Sequence, residues 1–219
     1  MRALVPFGPL IYQGDMSEEF LNFLLDGVDR SRNGSDMRSS LAGNMSEEKS
    51  ALYDPEKFES YIDLHIRRFL YLCQERTCSL NELHIPTTRT QQHKNDIFLL
   101  DRIVGDNSID HNFSFGGGPW VNYQKSGEFN PIHEHSGDIS GIMYLDIPEE
   151  INHENDGDQY QAMRAGCLEF VYDNSKTMVI TPKTGMIFLF PAELKHCVYP
   201  FKSDVERISM SFNLHKESK

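Results

Sequence analysis

Cysteine is scarce in this sequence, and its placement argues against a disulfide framework. The 219 residues include four cysteines, Cys73, Cys78, Cys167 and Cys197, and no two of them form a CxxC pair. A small number of unclustered cysteines is typical of proteins from reducing compartments. We therefore expect a cytoplasmic protein without structural disulfides.

Long apolar runs are missing as well, and basic residues are few. No stretch of about 18 apolar residues occurs, so no membrane span is expected, and residues 1–7 lack the apolar core of a secretory signal. Acidic residues outnumber basic ones by 33 to 21, and the net charge of −12 argues against nucleic acid or an anionic membrane as a non-specific partner. The hydrophobic share of 39% and the length are typical of one soluble domain over residues 1–219.

The front of the chain has the pattern of two helices. Ser17 precedes two glutamates and a series of apolar residues at helical spacing that ends near Arg30, which predicts a helix capped by Ser17. Asp54 and Pro55 predict the start of a second helix, which continues to about Glu75. Both helices present an apolar stripe, so they are expected to pack against another layer.

The rest of the chain is predicted to be loop and strand. Residues 33–50 are rich in Gly, Ser and Asn and predict a loop, and residues 97–100 predict a short element. We expect a helical support region over residues 1–100 and a β core over residues 118–215, a mainly β fold of the sandwich or barrel type. The predicted strands are 120–124, 140–147, 167–172, 178–181, 185–190 and 207–214.

The last predicted strand alternates strictly between polar and apolar residues. Its polar positions are Arg207, Ser209, Ser211 and Asn213, with apolar residues between them. A buried polar row needs partners, because unpaired polar groups are costly in an apolar interior. This face is therefore either in solvent or lines a polar pocket, and the second alternative fits a barrel that holds a ligand.

Three histidines form the candidate metal site. Residues two apart on a strand share a face, so His133 and His135 can reach one metal ion, although such a pair taken alone is commonly a chance surface feature. His196 follows an apolar strand and is expected at its exit, on the rim of a pocket. Asp138 is an alternative third ligand or an acceptor for a histidine N–H. Ligation by imidazole predicts a steep fall of metal affinity near pH 6.

Arg207 and Ser209 are the candidates for holding a carboxylate. A guanidinium is a planar fork that binds a carboxylate through two hydrogen bonds, and Ser209 on the same face can donate another. The alternative is a salt bridge from Arg207 to an acidic residue of the chain. Tyr123 and Tyr144 either place a hydroxyl in the pocket or pack as strand aromatics, and Trp120 is expected to pack.

Together these features resemble the 2-oxoglutarate- and Fe(II)-dependent oxygenases, which have a double-stranded β-helix, a jelly-roll and cupin-like fold. The resemblance is closer to the 2OG-Fe(II) oxygenases of phages and marine bacteria. It implies that His133 and His196 bind Fe(II), and that His135 stands where the superfamily usually has an aspartate. The segments that carry it are 120–122, 130–137, 140–141, 190–191, 196 and 207–213.

The resemblance also implies a cosubstrate and a reaction. Arg207 and Ser209 fall where the 5-carboxylate of 2-oxoglutarate is held, and Tyr144 falls where prolyl hydroxylases use a tyrosine for the same carboxylate. The reaction is then oxidative decarboxylation of 2-oxoglutarate to succinate and CO2, coupled to hydroxylation of a substrate, with ascorbate as an assay requirement. A peptide or protein side chain is the expected substrate, and a small molecule remains open.

Two other functions and one segment stay open. The alternatives are a non-catalytic cupin-like metal-binding module and a three-histidine dioxygenase that uses no keto acid. The pair of Arg207 and Ser209 argues against both, since neither needs a carboxylate clamp. The acidic residues 149–166 are expected to form a long loop, which is either a lid over the site or a solvated insertion.

Overall fold

The structure is a computed structural model, and it describes residues 2–4, 9–82, 113–156, 164–172 and 176–217. Its elements in chain order are β1 (Arg2–Leu4), β2 (Ile11–Asp15), α1 (Glu18–Ser31), a 3-10 turn (Arg38–Ser40), β3 (Glu48–Ser50), α2 (Pro55–Glu82), β4 (Phe113–Phe115), β5 (Trp120–Gln124), β6 (Asn130–His133), β7 (Ile139–Asp146), α3 (Glu149–His153), β8 (Leu168–Tyr172), β9 (Lys176–Ile180), β10 (Met186–Pro191), β11 (His196–Val198) and β12 (Arg207–Lys216). Among these described helices, none is long and apolar enough to cross a bilayer.

The described strands form two antiparallel sheets that share an apolar interior. The large sheet has eight strands in the order β1-β2-β10-β7-β12-β5-β3, with β4 also paired to β12, and the small sheet has the order β6-β11-β8-β9. Neighbours distant in sequence, such as β7 between β10 and β12, are typical of a jelly roll. The predicted fold class, mainly β with N-terminal helices and a double-stranded β-helix, is confirmed.

Alternation along the strands of the large sheet separates two cores. On β7, Met143 and Leu145 join a cluster that includes residues of α1 and α2, while Ile142 and Tyr144 join a second cluster with residues of the small sheet. The helices therefore cover the outer face of the large sheet, and the space between the sheets is the interior of the β-helix. Because successive side chains point to opposite faces, each strand supplies both layers.

The helices begin where the sequence predicts. Ser17 has an extended backbone, and its hydroxyl accepts a hydrogen bond from the backbone N–H of Phe20 at 3.1 Å. Asp54 accepts a bond from the N–H of Lys57 at 3.2 Å, directly before α2. These bonds satisfy N–H groups that a helix start leaves without an intrahelical partner. Helix α2 is longer than predicted and ends at Glu82.

Several predicted loops and boundaries differ from the structure. Residues 33–50 are mostly loop as predicted, but they also contain a 3-10 turn and β3. Strands β1 and β2 fall within the region 1–100 that was expected to be helical. Short strands of three to five residues carry too little periodicity to be read from sequence. The predicted element at residues 97–100 lies outside the described residues. The organisation as a single domain stays a prediction.

The acidic segment 149–166 begins with a helix and not with a loop. In α3, Ile151 is buried against Ala165 and Phe201, which anchors the start and the end of the segment to one small apolar cluster. Asn155 adds a hydrogen bond from its side-chain amide to the carbonyl of Ala165 at 3.0 Å. The described ends of this segment are therefore held in place, and residues 157–163 lie outside the described part.

Candidate active site

A polar cavity lies between the two sheets, directly beside the apolar inter-sheet cluster, and Ile142 and Val198 belong to both. The space between its lining atoms, the open mouth included, is about 430 Å³. Of the two alternatives for the polar face of β12, the structure shows the pocket: Arg207, Ser209 and Ser211 line this cavity. The other polar side chains of its lining are Glu48, Asn122, Asn130, His133, His135 and His196.

The small sheet brings the three predicted histidines together. His133 is the last residue of β6, His196 is the first of β11, and the two are register partners. His135 lies two residues beyond β6, where its backbone N–H donates to the carbonyl of Ala192 at 2.9 Å. One ligand nitrogen from each ring lies within 4.8 Å of the others. His196 begins a strand and is 4% exposed, so it is buried in the site and not on its rim.

Backbone carbonyls orient two of these imidazoles. Nδ1 of His133 is 2.7 Å from the carbonyl oxygen of Pro131, and Nδ1 of His196 is 2.9 Å from that of Leu194. A carbonyl only accepts, so each Nδ1 must carry the proton and donate it. Each Nε2 then keeps a free lone pair, which is the arrangement that fixes histidine tautomers in metal sites.

Burial also keeps the three rings neutral. Desolvation lowers the pKa of His133, and it lowers the pKa of His135 to about 4, where His133 adds to the effect. Desolvation lowers the pKa of His196 to about 3, helped by the two neighbouring imidazoles. All three rings are therefore in the neutral form at neutral pH, the state in which imidazole binds a metal.

The donor set fits a divalent first-row metal ion, and it contains no carboxylate. Among the described residues, the group of ligand atoms consists of His133, His135 and His196 alone. The alternative ligand Asp138 is directed elsewhere, since its Oδ2 accepts the backbone N–H of Lys216 at 2.8 Å. Imidazole nitrogen suits iron, although the usual site combines two histidines with one carboxylate. The assignment of the three ligands stays a prediction, which this geometry supports.

Arg207 lies on the cavity wall with most of its hydrogen-bonding capacity unused. It is 1% exposed, and Nη1 donates to Oε1 of Gln124 at 2.9 Å. Among the described residues, no well-formed hydrogen bond reaches Nε or Nη2 of Arg207 or the hydroxyl of Tyr144. The centroid of the Tyr144 ring lies 5.0 Å from the guanidinium carbon, and the two groups are close enough to affect each other's pKa. Desolvation lowers the pKa of Arg207 and raises that of Tyr144 to about 12. Within the described part of the chain, no carboxylate pairs with Arg207, contrary to the salt-bridge alternative.

Strand β5 contributes two residues that sequence reasoning missed. Gln124 donates its amide N–H groups to the carbonyls of Glu128 (2.7 Å) and Tyr199 (3.2 Å), which turns its oxygen toward Arg207. Asn122 donates to the hydroxyl of Ser211 at 3.3 Å. The signal was present, because these polar residues alternate with the apolar Val121 and Tyr123, which pack on the outer face.

Glu48 on β3 is the third missed residue. It is 1% exposed and lines the cavity, and neither of its carboxylate oxygens has a hydrogen-bond partner. Burial raises its pKa to about 7, and the nearby charge of Glu128 adds to this shift. It lies inside a segment that was predicted to be a loop, so no periodicity pointed to it.

The two aromatic residues weighed from sequence have different places. The Tyr123 hydroxyl donates to the carbonyl of Val28 at 2.6 Å. The guanidinium carbon of Arg32 lies 4.0 Å from the centroid of the Tyr123 ring, so Tyr123 packs outside the cavity. Trp120 lines the cavity, with its ring centroid 5.8 Å from that of His135. Tyr123 is thus structural, while Trp120 shapes the wall beside the histidines.

Comparison with known families supports the resemblance seen in the sequence. Residues 118–213 match the family described as "Putative 2OG-Fe(II) oxygenase". This segment contains the three histidines, Arg207 and Ser209. No protein of curated function matches the sequence.

Solved structures with a similar fold include two prolyl hydroxylases. A prolyl-4-hydroxylase from Pseudomonas putida matches with a TM-score of 0.50 and 14% identity, over 95% of this chain and 93% of that one. A prolyl hydroxylase from Trichoplax adhaerens, in complex with a peptide fragment of the hypoxia inducible factor oxygen degradation domain, has a TM-score of 0.49 and 13% identity, over 95% and 83% of the two chains. At 14% identity, the likeness to the Pseudomonas putida structure establishes the fold alone.

Proposed function

We propose that this chain hydroxylates a peptide or protein side chain while converting 2-oxoglutarate to succinate and CO2. The premise is that it belongs to the 2-oxoglutarate- and Fe(II)-dependent oxygenase superfamily. At the level of the superfamily, the predicted dioxygenase class and the predicted cofactors Fe(II) and 2-oxoglutarate are confirmed. The substrate, the coupling to decarboxylation and the role of each residue are part of the proposal.

In this proposal His133, His135 and His196 hold the iron through their Nε2 atoms. Bound Fe(II) supplies the activation of dioxygen that drives both the decarboxylation and the C–H hydroxylation. The chain itself contributes orientation, because the carbonyls of Pro131 and Leu194 fix two of the rings. It also excludes water, since the cavity is closed on its inner side by the apolar inter-sheet cluster.

The observation that carries the proposal is the pair of unused donors on Arg207. A buried guanidinium is costly unless it is paired, yet Nε and Nη2 have no hydrogen-bond partner among the residues that the structure describes. Two N–H groups on one planar fork match the two oxygens of a carboxylate. The hydroxyl of Tyr144 is a further unpaired group, and Ser209 lines the same cavity, so a dicarboxylate such as 2-oxoglutarate has donors ready for its distal end.

A peptide is favoured by the surface beside the cavity. An apolar groove runs along β6, the edge strand of the small sheet, and includes Ile132, which is 59% exposed, and Phe129, which is 36% exposed. Asn130 and Val198 line both this groove and the cavity, so the two lie next to each other. Exposed apolar side chains next to an open strand edge are the features that bind extended peptides. The likeness of the fold to a prolyl-4-hydroxylase points the same way, as an analogy.

Arg207→Ala is the variant that tests the cosubstrate site. We expect 2-oxoglutarate, titrated calorimetrically into Mn(II)-loaded protein, to bind at least about tenfold more weakly to Arg207→Ala than to wild type, because a desolvated charge pair is lost. Metal affinity should be unchanged. Arg67→Ala is the matched control, since Arg67 pairs with Asp63 on the exposed side of α2.

Turnover supplies the second readout. Wild type with Fe(II), ascorbate and oxygen should release succinate, detected by NMR, and His196→Ala should not. Unchanged 2-oxoglutarate affinity in Arg207→Ala would refute the carboxylate clamp. Oxygen consumption without any need for 2-oxoglutarate would favour the three-histidine dioxygenase instead.

A further inference from the structure

We infer that Glu48 is a substrate-recognition residue, and that the substrate carries a cationic nitrogen group, an ammonium or a guanidinium, which Glu48 binds inside the cavity. This inference rests on the proposed function, because it concerns the substrate of the same site. It goes further in naming the chemical group of the substrate and the residue that selects it.

The first support is that Glu48 is buried and has no partner. Both of its oxygens are inaccessible and without a hydrogen bond, and the residue is 1% exposed. A carboxylate in such a place is normally paired with a cation or with several N–H groups. The described residues provide neither, and Glu48 belongs to the lining of the cavity.

The second support is that strand pairing aims Glu48 at the cavity. Strand β3 pairs with β5 in a register that sets Glu48 opposite Asn122 and Lys49 opposite Val121. Side chains of directly paired residues lie on the same face of a sheet. Glu48 therefore shares the cavity face with Asn122, while Val121 faces the outer core.

Further unpaired acceptors surround the carboxylate. Oδ1 of Asn130 and Oδ1 of Asn122 are buried without a partner, like the oxygens of Glu48. A methyl group built on Gly43 would meet Oδ1 of Asn130 at 2.6 Å and Oε1 of Glu48 at 2.7 Å. Both oxygens thus lie beside one point, where a single group with several N–H bonds can donate to each of them.

The nearby cationic side chains of the chain do not pair with Glu48. Arg207 lines the same cavity, but no hydrogen bond or ion pair joins it to Glu48, and its own unused donors fit a carboxylate. Arg38, whose charge also acts on Glu48, is engaged by Asp36 through contacts of 2.6 to 3.1 Å. Glu128 and Asp36 add negative potential at Glu48. A cavity with unused donors at one place and unused acceptors at another fits an anionic cosubstrate and a cationic substrate together.

The test is a comparison of charged probes with their neutral counterparts. Four peptides, Ac-Gly-X-Gly-NH2 with X as lysine, norleucine, arginine or citrulline, and the same four free amino acids are titrated calorimetrically into the full chain. Each titration is made with and without Mn(II) and 2-oxoglutarate. We expect wild type to bind a lysine or arginine probe about tenfold or more tightly than its neutral counterpart. The peptide and amino-acid arms distinguish the two sources of the cation.

Two variants test whether Glu48 causes this preference. Glu48→Gln should abolish it, and Gly43→Ala should reduce it, because the added methyl group displaces the oxygens of Glu48 and Asn130. Glu59→Gln, at an exposed position on α2, removes the same charge and should keep the preference. Far-UV circular dichroism and Tm verify that each variant is folded.

The outcomes separate this inference from the proposed function. Equal binding of charged and neutral probes by wild type, or a preference that survives in Glu48→Gln, would overturn the role of Glu48. The titrations without metal and cosubstrate measure the preference even if 2-oxoglutarate does not bind. A lost cosubstrate site and a lost cation site therefore give different results.

Discussion

Replacing Glu48 by glutamine should stabilise the protein at alkaline pH and much less at acidic pH. Glu48 is an ionisable group held in the interior without a partner, and glutamine keeps its shape without the charge. Burial raises its pKa from the ordinary 4.5 to about 7. The folded protein therefore keeps a proton that the unfolded chain releases between these two pH values.

The sign of the effect follows from this linkage. Because the folded-state pKa is above the unfolded one, the free energy of unfolding is highest below about pH 4.5 and falls as the pH rises to about 7. Each pKa unit corresponds to about 1.4 kcal/mol. The shift of Glu48 thus costs wild type about 3 kcal/mol of stability when the carboxylate is fully ionised. Between pH 5 and pH 8 the advantage of Glu48→Gln should grow by about 2 kcal/mol.

Urea denaturation of the metal-free protein measures this effect. The free energies of unfolding of wild type and Glu48→Gln are compared at pH 5 and at pH 8, so that all other titrating groups cancel in the difference. Glu59→Gln, an exposed control of the same charge change, should differ from wild type by less than about 0.5 kcal/mol at both values. An advantage of Glu48→Gln that is equal at the two pH values, or a loss of stability at pH 8, would refute the reasoning. A confirmed gain would mark Glu48 as a residue whose function is retained at a cost in stability.

Two further predictions concern the cosubstrate and metal positions of the site. Gln124→Ala should raise the KM for 2-oxoglutarate about tenfold with a smaller change in kcat. The reason is that Gln124 positions Arg207 through its 2.9 Å hydrogen bond and does not reach the metal. An equal loss of Mn(II) affinity would indicate general collapse of the site. Metal affinity should begin to fall at a lower pH than in a site of ordinary imidazoles, since burial lowers the pKa of all three histidines, that of His135 to about 4 and that of His196 to about 3. The steep fall near pH 6 that the sequence predicts from an ordinary imidazole is the result that would contradict this, and calorimetric titration in a pH series decides between them.

The local features of this protein were determined by its sequence. Ser17 caps α1, and β12 alternates between the outer core and the cavity, because caps and strand faces depend on residues a few positions apart. The alternation of strand faces also allowed the polar row that contains Arg207 and Ser209 to be recognised in the sequence. The resemblance to 2OG-Fe(II) oxygenases followed from such short segments and their order along the chain.

Only the tertiary structure decided which distant groups meet. His196 lies beside His133 as its strand partner, and the carboxylate of Asp138 accepts a hydrogen bond from the backbone of Lys216. The third nitrogen of the histidine group therefore comes from His135. It also brought Glu48 from a segment without periodicity into the cavity. Pairing between strands that are far apart in sequence depends on the packing of both sheets, and no local pattern encodes it. Whether a buried charge has a partner is likewise a property of the assembled interior, which is why the unpaired Glu48 emerged from the fold alone.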